Sequence, residues 1–267
     1  MSTDLRSFTD FAVELAFDAG RLTLGYFQSG LRPEFKSDDS PVTVADRRAE
    51  ELIRARIEDR FPSHSILGEE YGAKEVDGSS FRWVIDPIDG TKAFMRGVPL
   101  YAVLIGLEID GESVVGAAYF PGLDEMISGA SGQGCFWNGR PARVSQVGEL
   151  RRGIVSSTDS SSFGRHGHAA SWSRIQEACY HRAGWSDAYG HLLVATGRIE
   201  LMLESPLKPW DCGPFPPILR EAGGYFGDWA GNETIYATQV LSTTRTLLPQ
   251  VLRLLNEDQA EYEALSH

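Results

Sequence analysis

Cysteine is scarce in this chain: Cys135, Cys179 and Cys212 are its three thiols in 267 residues. Three cannot all pair, and their spacing matches no metal site, so reduced thiols in a cytoplasm are expected rather than a disulfide framework. No apolar run approaches the roughly 20 residues of a membrane span, and no membrane association is expected. The opening Met-Ser-Thr-Asp-Leu-Arg lacks the basic-then-apolar order of a secretory signal, so no cleaved leader is expected. Basic charge is also short. Lys and Arg number 25 against 37 Asp and Glu, a net charge of -12, which argues against a general nucleic-acid surface. There is no internal repeat and no low-complexity tract. What remains is a globular composition, 42% hydrophobic and 23% charged, of a length that suits one large domain or two sub-domains sharing a core.

The most informative stretch runs Trp83-Val84-Ile85-Asp86-Pro87-Ile88-Asp89-Gly90-Thr91-Lys92. It opens as a buried strand and meets two carboxylates three residues apart, with Pro87 fixing a turn between them. Asp86 and Asp89 can then face one small volume past the strand end, where the Ile88 carbonyl adds an oxygen suited to a hard cation. Gly90 permits close backbone approach, and Gly90-Thr91 can open a helix whose first N–H groups favour an anion. Carboxylates for metal beside N–H groups for phosphate suit a metal-dependent phosphatase. Asp, Pro and Gly are also ordinary turn residues, and by themselves the two acids fit an Asp-capped turn equally well.

Two further blocks accompany this one: Gly68-Glu69-Glu70 after the apolar Ile66-Leu67, and Trp210-Asp211 leading to Glu221-Ala222-Gly223-Gly224. In this order the three blocks resemble the inositol monophosphatase-like family of magnesium-dependent, lithium-sensitive phosphatases, over about residues 12–254. The resemblance implies a layered α-β-α-β-α sandwich of the sugar-phosphatase type, with the active site between two sub-domains. The change near Leu150, from mostly antiparallel strands to strand alternating with helix, places the expected halves at 1–150 and 151–267. The resemblance implies that Glu69, Asp86, the Ile88 carbonyl, Asp89 and Asp211 hold two or three Mg²⁺ ions. It also puts Gly90 and Thr91 on the phosphate and makes Glu69, Thr91 and Asp46 catalytic, Asp46 accepting from the threonine hydroxyl that polarises the attacking water. All-oxygen ligands select Mg²⁺, Mn²⁺ or Ca²⁺ over zinc, and four acids in one pocket would repel unless cations neutralised them.

Each residue has a plainer alternative. Asp46 can be a helix-start carboxylate, Thr91 a helix cap, and Lys92 a solvated lysine. His166 and His168 form an H-x-H pair without a third ligand. Cys212 reads as a packed thiol, since no histidine lies near it in sequence. For the substrate, two stretches lean toward the histidinol-phosphate phosphatase branch: Ser40 to Arg47 with Thr91 to Pro99, and Ser186 to Gly190 with Leu207 to Asp211. Asp187 and Tyr189 stand where inositol phosphatases show small uncharged residues. A carboxylate and an aromatic ring complement the ammonium and imidazole of histidinol phosphate, and Glu204 falls on a family substrate-contact position. The branch usually has Gly before the Asp187 position and an aromatic near His191; here Ser186 and His191 stand instead. Inositol monophosphatase, nucleotide 3′-phosphatase and a catalytically silent binding protein are the alternatives. The partner expected is a small phosphate ester, with the chain forming a homodimer.

Periodicity predicts helices over 8–27, from Thr43-Val44-Ala45-Asp46 to Phe61-Pro62, over 171–183 and 187–196, from Asp211 to Gly223-Gly224, and a last one carrying Leu247, Leu248, Val251 and Leu252. Strands are predicted at 65–67, 81–85, 101–109, 113–120, 126–130, 135–137, 154–157, 199–203 and near Tyr225, with Asp110-Gly111 a hairpin turn and Ser-Asp-Asp-Ser-Pro before Val42 a loop.

Overall fold

Helix α1 (Leu5–Tyr26) buries Phe11, Leu15, Ala16 and Ala19, the side on which the helical spacing of apolar residues had placed them. The computed structural model that shows this describes residues 4–36 and 41–265, with side chains described up to residue 257. The loop expected over 37–40 lies outside the described residues. On either side of it the short strands β1 (Glu34–Phe35) and β2 (Pro41–Val42) pair antiparallel. Helix α2 (Val44–Arg60) starts with a capping box in which Thr43 and Asp46 satisfy each other's backbone donors.

The first large sheet contains β3 (Ser65–Gly68), β4 (Gly72–Lys74), β5 (Phe81–Asp89), β6 (Ala102–Ile109), β7 (Glu112–Phe120), β8 (Glu125–Ala130), β9 (Gly134–Trp137) and β10 (Arg140–Pro141), with helix α3 (Thr91–Met95) after β5. Its order is β10-β9-β8-β7-β6-β5-β3-β4; β3 and β5 are parallel, and the other neighbours are antiparallel. The chain continues through β11 (Ile154–Ser157), α4 (Ser160–Arg165), α5 (Ala169–Ala178), β12 (His181–Ala183), α6 (Ala188–Ala195) and β13 (Leu201–Glu204). Then come α7 (Pro209–Cys212), α8 (Phe215–Glu221), β14 (Gly224–Asp228), β15 (Val240–Thr244) and α9 (Leu248–Leu265). The second sheet has the order β12-β11-β13-β15-β14.

Strand alternation sorts the core into layers. Trp83, Ile85, Val103, Ile105 and Ala117 face one way, onto α1 and α2. Val84, Ala102, Leu104, Ala118 and Phe120 face the other way and meet Leu192, Phe215 and Ile218 of the middle helices, which also cover Met202, Phe226 and Val240 of the second sheet. The far face of that sheet, with Val155, Leu201 and Leu241, is closed by Phe163, Trp172, Ile175 and Val251. This is the expected α-β-α-β-α sandwich.

The elements differ from expectation in three places. The helix expected from Asp211 to Gly223-Gly224 is two, α7 ending at Cys212 and α8 starting at Phe215, on either side of Gly213-Pro214. The helix predicted over 171–183 stops at Ala178, and His181–Ala183 instead pairs with β11 as an edge strand. The partner for β11's open edge outweighs the weak local helical pattern there. Strand β15 was not foreseen. Its sequence Val-Leu-Ser-Thr-Thr is buried at every position, and the three hydroxyl residues hide the apolar run that marks a central strand.

Three glycines set how the middle helices lie on the first sheet. Gly106 pairs with Gly116 across β6 and β7, and Gly116 with Gly129 across β7 and β8. A Cβ at Gly106 would come within 2.6 Å of the Gly213 carbonyl, and one at Gly129 within 2.9 Å of the Ile218 Cα; at Gly116 it would overlap the Pro214 oxygen. The backbone from Gly213 to Ile218 therefore rests directly on the sheet, two residues after Asp211. Gly116→Ala is expected to destabilise the protein by about 1–3 kcal/mol, the usual cost of overpacking. Gly25→Ala, exposed near the end of α1 with open space around it, should be neutral or stabilising. Urea unfolding checks both; a neutral Gly116→Ala would mean that the helix does not ride on this track.

Candidate active site

The Asp86–Asp89 segment is not a turn beyond the strand, as expected, but an irregularity inside it. Asp86 pairs with Leu104 and Asp89 with Ala102, so three steps along β5 match two along β6. That extra residue is a β-bulge, and Pro87, which has no N–H to donate, is tolerated there. Without the bulge, residues three apart would point to opposite faces. With it, Asp86 and Asp89 share the face of Leu104 and Ala102, toward the middle helices.

Asp211 reaches the same place from the short helix α7, and among the described residues Asp86, Asp89 and Asp211 form the one group able to hold a metal ion, their ligand atoms all within 4.8 Å. One oxygen of each acid is tied to a backbone N–H. Asp86 Oδ1 accepts from Ile88 (2.9 Å), Asp89 Oδ2 from Ala188 (2.8 Å), and Asp211 Oδ2 from Lys208 (2.8 Å). The tether fixes each rotamer while the other oxygen keeps its acceptor capacity. Asp46 repeats the pattern: its Oδ2 accepts from the Thr43 N–H (2.8 Å) and hydroxyl (2.6 Å).

Beside them, the Thr91 hydroxyl lies 3.1 Å from the Ile88 carbonyl and 3.4 Å from Asp46 Oδ1. Gly90 caps α3 in the left-handed region at φ 79°, and Asp187 Oδ2 packs over it, 3.1 Å from where a Cβ would stand. Glu69, at the end of β3, lies outside the three-acid group and pairs with Lys36 Nζ (2.8 Å), which also binds Glu70 (2.9 Å). Glu204 is buried, held by Thr158 and by His191. Tyr189, expected beside the substrate, instead gives its hydroxyl to Glu125 (3.1 Å) and sets its ring edge-on to Phe120; half-buried, it packs against the core between the first sheet and the middle helices. Lys92 is exposed, and the His168 ring leans on Trp229.

Several groups here were not foreseen. Glu50 is fully buried, with Arg54 Nε at 2.8 Å, and its carboxylate accepts from the N–H groups of Glu70 (2.8 Å) and Tyr71 (3.2 Å). It therefore holds the turn that carries Glu69. In the sequence Glu50 and Arg54 are an ordinary i,i+4 pair and look like a solvated helix face. Lys36, Thr158 and Ser242 gave no motif at all, and His191 showed only as a departure from the branch pattern.

The electrostatics follow from the crowding. Burial, then Glu69, Asp89 and Asp211, drive the Asp86 carboxyl well above its usual range. Burial, then Asp187, Asp211 and Glu204, do the same to Asp89. Burial and Glu204 push Asp187 up to about 7, and burial, with Glu69 and Glu204, pushes Asp211 up to about 7. An all-oxygen group that resists ionisation in this way fits a hard divalent cation, which would hold the carboxylates charged. The sign of the pH effect is then set. Folded, these acids keep protons that the unfolded chain loses near 3.8, so their contribution to metal-free stability is fully present below that pH and is lost as pH rises through about 7. In chelator, Tm is expected to fall across that window, and excess Mg²⁺ should restore it at the upper end. A Tm that is flat or rises in chelator would show that the acids do not share one field.

Comparisons with known proteins give the family and the fold. The inositol monophosphatase family model matches residues 4–262. A histidinol-phosphatase of Chlorobaculum parvum is 42% identical over 238 residues, covering 88% of this chain and 89% of its own. Inositol monophosphatase 3 of Solanum lycopersicum is 33% identical, covering 95% and 98%. Among solved structures, the extragenic suppressor protein suhB of Bartonella henselae superimposes with a TM-score of 0.87 at 27% identity, covering 93% and 98%. The family model spans nearly the whole chain and the relatives it resembles are phosphatases, so the chain belongs to the inositol monophosphatase family.

Proposed function

We propose that this phosphatase hydrolyses a phosphate ester whose alcohol is cationic, namely histidinol phosphate to histidinol and phosphate. The observation that carries the reading is Asp187. Its carboxylate lies against Gly90, at the proposed phosphate-binding turn, and in the field of Glu204. The wall beside the phosphate is thus acidic beyond what the proposed metal ligands supply, and an ammonium or imidazolium complements it. The 42% identity to a histidinol-phosphatase supports the same reading.

In this reading Glu69, Asp86, the Ile88 carbonyl, Asp89 and Asp211 hold two or three Mg²⁺ ions. Bound there, the ions neutralise the phosphate and lower the pKa of water. The N–H groups of Gly90 and Thr91 precede the first helical bond of α3, which Phe94 makes to the Gly90 carbonyl, and hold phosphate oxygens. Thr91 and Asp46 orient the nucleophile. A Thr91 hydroxyl that gives its proton to Asp46 Oδ1 turns its lone pairs to the cleft, where with Glu69 it accepts from the attacking water. Asp187 and Glu204 select the alcohol. Buried free thiols at Cys135, Cys179 and Cys212 suit a cytoplasmic enzyme, and a homodimer belongs to the same proposal. The inositol monophosphatase among the relatives supports a second reading, an inositol phosphate as substrate.

Asp187→Asn is expected to cut kcat/KM for histidinol phosphate by about 10- to 100-fold, the worth of one charge-assisted hydrogen bond. Hydrolysis of inositol 1-phosphate should change little. Equal losses on both esters would reduce Asp187 to a structural role, and a wild-type preference for inositol 1-phosphate would favour the second reading. Thr91→Ala is expected to lower kcat far more than it raises KM, since orienting the nucleophile acts on the transition state. A loss confined to KM would move Thr91 to substrate binding and leave Asp46 without its role.

A further inference from the structure

Behind the Asp187 wall a buried line of hydrogen bonds crosses the second half of the chain. Ser242 Oγ on β15 lies 2.6 Å from His191 Nδ1, and His191 Nε2 on α6 lies 2.7 Å from Glu204 Oε2 at the end of β13. The other Glu204 oxygen accepts from the Thr158 hydroxyl, and Thr158 Oγ1 accepts from the Asp187 N–H at 2.7 Å. The next N–H, that of Ala188, is the one that tethers Asp89. His191 and Ser242 are almost wholly excluded from solvent, as is Glu204.

Donor balance constrains the directions. Thr158 has one hydroxyl proton and spends it on Glu204, keeping its lone pairs for the Asp187 N–H. Against a carboxylate that accepts, His191 presents Nε2–H; its Nδ1 accepts from Ser242 in a neutral ring and donates to it in a protonated one. Asp187 itself stands at φ 54°, a left-handed conformation unusual for a residue other than glycine and one that its surroundings must hold. Its N–H bond to Thr158 is part of that hold, and Thr158 is in turn oriented by Glu204.

We infer that His191 is a positioning residue for substrate selection: through Nε2–H it sets the Glu204 carboxylate and, by way of Thr158, the Asp187 turn. The inference rests on the proposed function in that Asp187 and Glu204 select the alcohol only if they face it. It also explains a buried, hydrogen-bonding histidine at a place where an aromatic ring alone would fill the space between Phe215 and Phe226, whose ring centroids lie 4.7 Å and 5.2 Å from its own.

Two substitutions separate positioning from packing, because they predict opposite orders. His191→Phe keeps the ring and loses the donor, whereas His191→Gln loses the ring and keeps an N–H donor near the Nε2 position. With histidinol phosphate, Phe is expected to raise KM by about tenfold, the effect of one buried hydrogen bond to a charged group, and Gln to stay within about threefold of wild type. Wild-type KM in the Phe variant with a worse Gln variant would overturn the inference and leave His191 as core packing. Equal losses in kcat from both would overturn it as well. If the Phe variant does not fold, Thr158→Val breaks the line from the other side of Glu204 and is expected to raise KM similarly; an unchanged KM there would overturn the proposal. Should wild type prefer inositol 1-phosphate, the substrate reading fails by itself. The same Phe-versus-Gln order, measured as KM for that ester, then decides the role of His191.

Discussion

The constraint on which the rest depends is the repulsion among carboxylates that the fold forces together. The ligand atoms of Asp86, Asp89 and Asp211 lie within 4.8 Å of one another, and Asp187, Glu69 and Glu204 act on them from around the group. Such a group would spread apart on flexible side chains. Here each central acid is held at one oxygen by a backbone N–H of a different element: the β5 bulge, the start of α6 and the start of α7. The tethers act on position and leave the charge problem to a cation. A net charge of -12 is compatible with an anionic substrate on the same terms, since the sign that the phosphate meets is set locally.

Holding acids from three elements in one volume requires the elements themselves to be placed to within a fraction of an ångström. The bulge does this along β5, by shifting the phase of one strand by one residue. Across the sheet, the Gly106–Gly116–Gly129 row does it by letting backbone meet backbone at Gly213 and Pro214. A side chain at any of these places would lift the segment that begins with Asp211. The two devices are complementary. One sets where Asp86 and Asp89 point, the other how far away Asp211 stands.

Both devices explain what could be seen in the sequence and what could not. The three acid-bearing blocks were legible because each joins a strand or helix end to turn residues, and the order of the blocks carried the family and the five layers. The bulge was visible only as a turn, because Asp-Pro-Ile-Asp reads the same whether the strand ends there or shifts by one residue. Strand β15 was hidden by its own hydroxyl residues, and β12 by a helix pattern that ran past its true end at Ala178. Glu50, Lys36 and His191 were missed for a common reason. Each works through a partner 13 to 51 residues away, and no local pattern marks a long-range hydrogen bond.

The same distinction separates the parts of the site that are held in different ways. The acids of the central group are tied to backbone, and backbone N–H groups are supplied by any sequence that keeps the bulge and the helix starts. The wall formed by Asp187 and Glu204 is tied to side chains, Thr158, His191 and Ser242, which single substitutions can remove without touching the tethers of Asp86 or Asp211. Only the Ala188 N–H belongs to both systems, since it follows Asp187 in the chain and holds Asp89. Substitutions in the wall can therefore leave the tethers of the acid group in place, provided that the turn at Asp187 and Ala188 keeps its backbone course. At Asp187, with its φ of 54°, the hydrogen bonds that lead to Glu204 and the one that tethers Asp89 meet at adjacent residues.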